Sequence, residues 1–239
     1  MTPDEVRREL REDYDDLRRW MGYKRKRWLR LARQHVDERK FMSFTGDYTT
    51  PRRKNLWIFD LRVLDRKMQH LQLCTGVLTW EQEGMAWTYY GRYSDENPFA
   101  TELRQGRPQS MLDRYLLSME QPPIIRFSPH FWMRLRERTG DRRYGKDLVL
   151  DFMRHNEEFA LNTDRSTQSA TGRRKQEPVQ MVLLGGAGLG EMIAPQHAVI
   201  NTFISSRQEQ GAQRERHQEL RAKLPQPPKK YRFGKEDSP

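Results

Sequence analysis

Ile124-Ile125-Arg126-Phe127-Ser128-Pro129-His130-Phe131-Trp132-Met133-Arg134-Leu135-Arg136-Glu137-Arg138-Thr139-Gly140 is the stretch from which the architecture is read. Its opening residues suit a short strand. Ser128 can serve as an N-cap, and Pro129 suits the first helical position, where a missing N–H costs nothing. At about 100° per residue, the following helix places His130, Arg134, Glu137 and Arg138 on one face. Phe131, Trp132 and Leu135 fall on the apolar one. An imidazole, a carboxylate and two guanidiniums on one face suit either of two roles. They can grip a phosphate and move a proton, or they can form a solvated face in which Glu137 pairs with Arg134 and Arg138.

Downstream, residues 146–158 read as a second helix with Leu148, Val149, Phe152 and Met153 inward. His155, near its C-terminal end, reads as a cap or surface residue rather than a catalytic one. Residues 163–177 are polar and aperiodic, as expected of a mobile loop. Its Arg173-Arg174-Lys175 run either touches phosphate or is simply solvated. A strand over 179–184 runs into Gly185-Gly186-Ala187-Gly188-Leu189-Gly190, which invites a nucleotide-binding reading. The context argues against it: the spacing is not GxGxxG, no GK[ST] follows, and Pro195 interrupts the place of a phosphate-binding helix. A glycine-rich hairpin leading into Glu191-Met192-Ile193 fits better. Residues 198–204 make a final strand. From Arg207 the chain is Gln/Glu/Arg-rich and then basic and proline-rich, which suits a frayed helix followed by disorder.

Upstream, residues 3–40 read as one long helix, or two joined near Gly22. Val6, Leu10, Leu17, Trp20, Met21, Trp28 and Leu31 recur at helical spacing, behind a Pro3-Asp4-Glu5 start. An acidic half (Glu12, Asp13, Asp15, Asp16) precedes a basic half (Lys24, Arg25, Lys26, Arg27, Arg30, Arg33), the order that complements the helix dipole. The same cations beside Trp20 and Trp28 also resemble a nucleic-acid-facing surface with aromatics for stacking. Residues 43–54 read as a loop. Strands are expected over 56–64, 71–77 and 87–93, with a hairpin turn at Glu83-Gly84 and a helix over 111–119.

The expected fold is therefore α+β. It comprises a helical arm (1–42), an antiparallel sheet with helices packed on one face (43–206, whole or as 43–120 and 121–206), and a frayed helix with a disordered basic tail (207–239).

Composition narrows the function classes. Leu, Ile, Val and Phe make up about a fifth of the 239 residues, near the level at which disorder begins. Six Trp, nine Tyr and eleven Met offset that shortage. A net charge of +11 and a pI near 9.9 point to a polyanionic partner, nucleic acid first, or to a basic protein that its charge keeps soluble. Cys74 is the only cysteine, so an internal disulfide is excluded and a thiolate zinc site is disfavoured. No apolar run has membrane-spanning length and no signal-like start is present, so a cytoplasmic protein is expected. No carboxylate or histidine cluster has metal-ligand spacing, no G-x-S-x-G elbow occurs, and no cofactor is implied.

Ser128-Pro129-His130 followed by Arg134, Glu137 and Arg138, with glycine-linked strands ending in Thr202-Phe203-Ile204, resembles the RelE/BrnT-like toxin domains. These belong to the barnase–EndoU–colicin–RelE nuclease superfamily. The resemblance spans residues 121–206, about a third of the chain. It implies metal-independent RNA cleavage, in which the ribose 2′-OH attacks the adjacent phosphate. His130 or Glu137 would then be the base, with Arg134 and Arg138 stabilising phosphorane charge and Thr202 or Ser205 a hydrogen-bonding neighbour. His197 is then either the acid or a turn residue. The order of elements and the long 163–177 loop depart from a compact toxin. The alternatives are a non-enzymatic nucleic-acid binder, RNA before DNA, using Lys24, Arg25, Lys26, Arg27, Arg30 and the tail, and an interaction module whose first helix docks on a protein partner or on a second copy.

Overall fold

A computed structural model describes residues 2–35, 42–63, 71–94, 124–156, 160–162, 177–183, 185–194 and 197–223. In chain order the elements are α1 (Pro3–His35), β1 (Met42–Thr49), β2 (Leu56–Val63), β3 (Leu71–Glu81), β4 (Gly84–Ser94), β5 (Ile124–Phe127), α2 (Pro129–Thr139), α3 (Lys146–His155), β6 (Ala160–Asn162), β7 (Glu177–Leu183), β8 (Gly186–Ala194), β9 (His197–Ser205) and α4 (Gly211–Lys223). This is the α+β class read from the sequence. The expected helix at 111–119, residues 163–176 of the expected 163–177 loop and residues 224–239 of the expected tail lie outside the described residues. Among the described residues, no helix is long and apolar enough to cross a membrane. Two compact units divide the chain: Met1–Leu78 with Tyr89–Ile124, and Thr79–Thr88 with Ile125–Pro239. The β3–β4 hairpin thus gives its base to the first unit and its tip to the second.

In the first unit the strand order is β1-β2-β3-β4, and α1 is its one described helix. The N-terminus of α1 is closed by a reciprocal capping pair. Glu5 N donates to Thr2 Oγ1 at 3.3 Å, and Thr2 N donates to Glu5 Oε2 at 2.7 Å. The helix runs unbroken through Gly22 and buries Leu10, Tyr14, Leu17, Met21, Trp28 and Ala32 against Trp57, Phe59, Leu61 and Val63 of β2. The strand side chains alternate as period-two geometry requires. Residues 43–49 of the stretch read from sequence as a loop (43–54) belong to β1, in register with β2. Gly46 faces Phe59, and a Cβ there would lie 2.8 Å from the ring. The glycine that looked like a loop signal makes room for an aromatic ring. The β1–β2 turn is pinned to α1 through buried Asp13, which accepts from Arg53 Nη1 at 2.9 Å and Asn55 Nδ2 at 2.7 Å.

In the second unit the hairpin tip is followed by β5, β9, β8, β7 and β6 in that order. One face of these strands carries α2 and α3 over an aromatic core. Trp87 stacks on Phe127 with centroids 5.5 Å apart, Phe152 meets Trp132 at 5.2 Å, and Phe131 reaches Phe203 at 6.0 Å. The expected glycine-rich hairpin joins β7 to β8, with Gly185 in its turn and Gly186, Gly188 and Gly190 in the strand. Gly188 lies opposite both Met181 and Phe203, and a Cβ on it would come within 2.6 Å of Ile200 Cγ2 and 3.4 Å of the Phe131 ring. The sheet gives up side chains at β8 so that α2 can bring its aromatics close.

Gln180 alternates with Met181 and so faces away from α2. There it meets α4: His217, fully buried, has Nε2 2.9 Å from Gln180 Oε1 and Nδ1 3.0 Å from Glu209 Oε1. Arg221 donates to Glu209 Oε2 at 2.7 Å and to the carbonyls of Leu183 and Gly186 at 2.7 and 2.8 Å. The helix expected to fray is therefore docked by a buried ionic network, on the opposite face of these strands from α2.

Candidate nucleic-acid interface

The second unit builds α2 as the sequence requires. Ser128 has extended φ and ψ of −70° and 165°, and its Oγ accepts from Phe131 N at 3.4 Å. The Ser128 Oγ also donates to Asn201 O at 3.1 Å, and its N–H donates to Ile200 O at 3.0 Å, so β9 holds the start of the helix. Pro129 follows the cap, and Gly140, left-handed at φ 69°, closes the far end. Phe131, Trp132 and Leu135 are buried, which leaves the polar arc in solvent.

On that arc His130 and Glu137 are exposed and Arg134 and Arg138 half-buried. Arg134 joins the first two: its Nε donates to His130 Nε2 at 3.5 Å and its Nη1 to Glu137 Oε2 at 2.7 Å. The structure thus brings His130, Arg134 and Glu137 together. Among the described residues Arg136, Arg138 and Arg142 have no carboxylate within ion-pair distance.

Other residues singled out from the sequence lie elsewhere. Thr202 is in register with Leu189, itself opposite Gln180, and this row belongs to the α4 face, not the α2 face. Thr202 is therefore not assembled with His130. Ser205 is engaged in its own turn, its N and Oγ both donating to Gln208 Oε1, at 3.1 and 3.2 Å. His197 is buried at the start of β9. Lys24, Lys26, Arg27 and Arg30 are exposed on α1 of the first unit, while the Arg25 side chain and Arg173, Arg174 and Lys175 lie outside the described residues. Trp28 is buried and stacks on Phe44 at 5.3 Å, and Trp20 packs on Tyr48 and Phe59. Both tryptophans pack in the core of the first unit, Trp28 buried and Trp20 partly buried.

The loop after α2 is tied to α3 by an ionic bridge. Arg143 bridges Asp141 and Asp151, with Nη2 2.6 Å from Asp141 Oδ2 and Nη1 2.7 Å from Asp151 Oδ1. Hydrogen bonding to Asp141 first, and then to Asp151, raises the Arg143 pKa and keeps the guanidinium charged. Burial pushes the Asp151 carboxyl up, but hydrogen bonds from His155 and Arg143 outweigh it and hold the group below 3.8. His155 is buried, its Nδ1 2.8 Å from Asp151 O, and so it is neither a surface residue nor open to substrate.

Sequence reasoning missed the aromatic edge of this surface. Trp80 is 60 % exposed, and Met133 and Tyr144 are each 44 % exposed. Trp80 and Tyr144 meet at 5.3 Å between centroids, and the Arg136 guanidinium lies 4.9 Å from the Tyr144 ring centre. The available signal was a tryptophan beside the Glu81-Gln82-Glu83-Gly84 turn, where a strand end is solvated. No group of three or more His, Cys, Asp or Glu side chains among the described residues is placed to hold a metal ion. Comparison of the chain with protein-family models, with curated proteins and with solved structures gives no match.

Proposed function

We propose that the second unit binds nucleic acid through the solvent face of α2 and the loop behind it, without metal or cofactor. One observation carries the reading: Arg136, Arg138 and Arg142, free of carboxylates among the described residues, share a short segment with exposed His130 and half-buried Arg134. Guanidiniums not neutralised by the protein attract phosphate oxygens and can bind them in a bidentate manner. The net charge of +11 favours encounter with any polyanion.

Fluorescence anisotropy of the full chain against labelled RNA and DNA, at two salt concentrations, tests this. Affinity is expected to fall steeply with salt. The Arg136→Ala/Arg138→Ala/Arg142→Ala variant is expected to bind more weakly and to lose about one unit of log–log salt slope per phosphate contact removed. Salt-insensitive binding, or a variant with unchanged slope, overturns the reading.

A second reading, RNA cleavage of the kind implied by the RelE/BrnT-like resemblance, is supported by the His130–Arg134–Glu137 chain. In it, Arg134 turns from His130 Nε2 to the scissile phosphate, which frees the one imidazole lone pair to take the 2′-OH proton, while water protonates the leaving 5′-oxygen. Labelled RNA incubated in EDTA is then cut by the wild type and left intact by His130→Ala, with equal binding by both. Binding without cleavage by either protein leaves a non-enzymatic binder.

A further inference from the structure

We infer that Trp80 and Tyr144 form a stacking subsite for an unpaired nucleobase, so that the nucleic acid taken by the second unit is single-stranded where it crosses this edge. The inference rests on the nucleic-acid reading above and adds the form of the ligand.

Trp80 stands apart from the other tryptophans. Trp57, Trp87 and Trp132 are at most 1 % exposed, Trp28 is buried and Trp20 partly so, whereas Trp80 is 60 % exposed. An exposed indole leaves a large apolar face in water, and it is the side chain best suited to stacking.

The ring is held in place as well as exposed. Met85 N donates to Tyr144 Oη at 3.2 Å, and Gly145 N points at Met85 Sδ at 3.2 Å, so the loop after α2 is clasped to the hairpin tip. Gly145, at φ 62°, lies under the indole, and a Cβ there would sit 3.7 Å from Trp80 Cζ2. Gly84, at φ 130°, leaves room for the Tyr144 hydroxyl, which would lie 3.1 Å from a Cβ. A platform fixed before binding loses little side-chain freedom when a ring lands on it.

Charge selects the occupant. Arg136 lies against the Tyr144 ring, in a position to hold a phosphate next to a stacked base. The carboxylates at the hairpin tip are Glu81, paired with Arg126 at 2.5 Å, and exposed Glu83. A base within a duplex has both faces covered by its neighbours and cannot lie on the platform, whereas one in a single strand can.

The test compares the full-length protein on equal-length labelled oligo-dT, oligo-U, an abasic deoxyribose-phosphate strand and a DNA duplex. Base-bearing single strands are expected to bind about 10-fold more tightly than the abasic strand. Trp80→Ala should erase that ratio while leaving abasic affinity unchanged, and Trp80→Phe should keep most of it. A thermal melt of Trp80→Ala matching the wild type shows that the fold is intact. Equal binding of base-bearing and abasic strands by the wild type, or a ratio that survives Trp80→Ala, overturns the subsite and leaves phosphate binding standing. No binding to any strand overturns the nucleic-acid reading, and this inference with it.

Discussion

Replacing Glu209 by alanine is expected to lower the unfolding free energy by about 3–5 kcal/mol, the range for breaking one partner out of a buried ionic group. The Glu209 side chain is fully buried and carries His217 on one oxygen and Arg221 on both. Without it, Arg221 keeps the Leu183 and Gly186 carbonyls but has no anion, and His217 keeps only Gln180. Urea unfolding measures the loss. Hydrogen exchange should place it first in α4, whose amides are expected to exchange before those of β7 and β8.

The same group sets an acid limb. Burial pushes the Glu209 carboxyl up, but hydrogen bonds from Arg221 and His217 outweigh it and bring the pKa below 4.5. The folded state then binds fewer protons than the unfolded one around that pH. The stabilisation is therefore complete above the unfolded value and is lost as pH falls through the folded one. Asp151 and Asp141, both held below 3.8, act in the same direction at lower pH. The wild-type urea midpoint should decline below about pH 4.5, and Glu209→Gln should flatten the first part of that decline.

Gly190→Val is expected to cost about 3 kcal/mol or more. The β8–β9 register passes from Leu189 opposite Thr202 to Gly190 opposite Ile200, so Asn201 is the extra residue of a bulge. A Cβ on Gly190 would lie 1.9 Å from Val199 O and 2.8 Å from Ile200 Cα, and main-chain atoms cannot move aside by changing rotamer. Because the Ile200 and Asn201 carbonyls receive the N–H and Oγ of Ser128, the collision should also loosen the start of α2 and weaken nucleic-acid binding. Gly185→Ala, with nothing within 4 Å of its added Cβ, is the control and should stay within about 0.5 kcal/mol of wild type. Thermal or urea unfolding of the pair distinguishes a steric effect from a general loss of glycine.

Helix α2 was legible almost to the residue, because its signals are local: Ser128 and Pro129 at one end, Gly140 at the other, and an apolar stripe between. The contact of Arg134 with both His130 and Glu137 also follows from i, i+4 and i, i+3 spacing. What could not be read depended on distant partners. β1 carries Ser43, Thr45, Gly46 and Asp47, which resemble a loop until Phe59 is placed against the glycine. Helix α4 has weak apolar periodicity because a buried histidine and a half-buried arginine, not leucines, hold it. The RelE/BrnT-like resemblance set Thr202 beside His130, but strand alternation in β9 directs its side chain to the other face. The Trp80–Tyr144 pair joins a hairpin tip to a loop far along the chain, and no spacing rule connects them.

The division of the β3–β4 hairpin limits how this protein can be shortened or recombined. Trp87 comes from the tip, yet it lines the core that Phe127, Trp132 and Phe152 complete. A fragment starting at residue 125 would hold every other described element of the second unit and still lack the ring at its centre, together with Trp80. Such a fragment is expected to be insoluble. A graft of this unit onto another scaffold would have to carry the hairpin as a separate insertion, so the unit is not portable as one uninterrupted piece of chain.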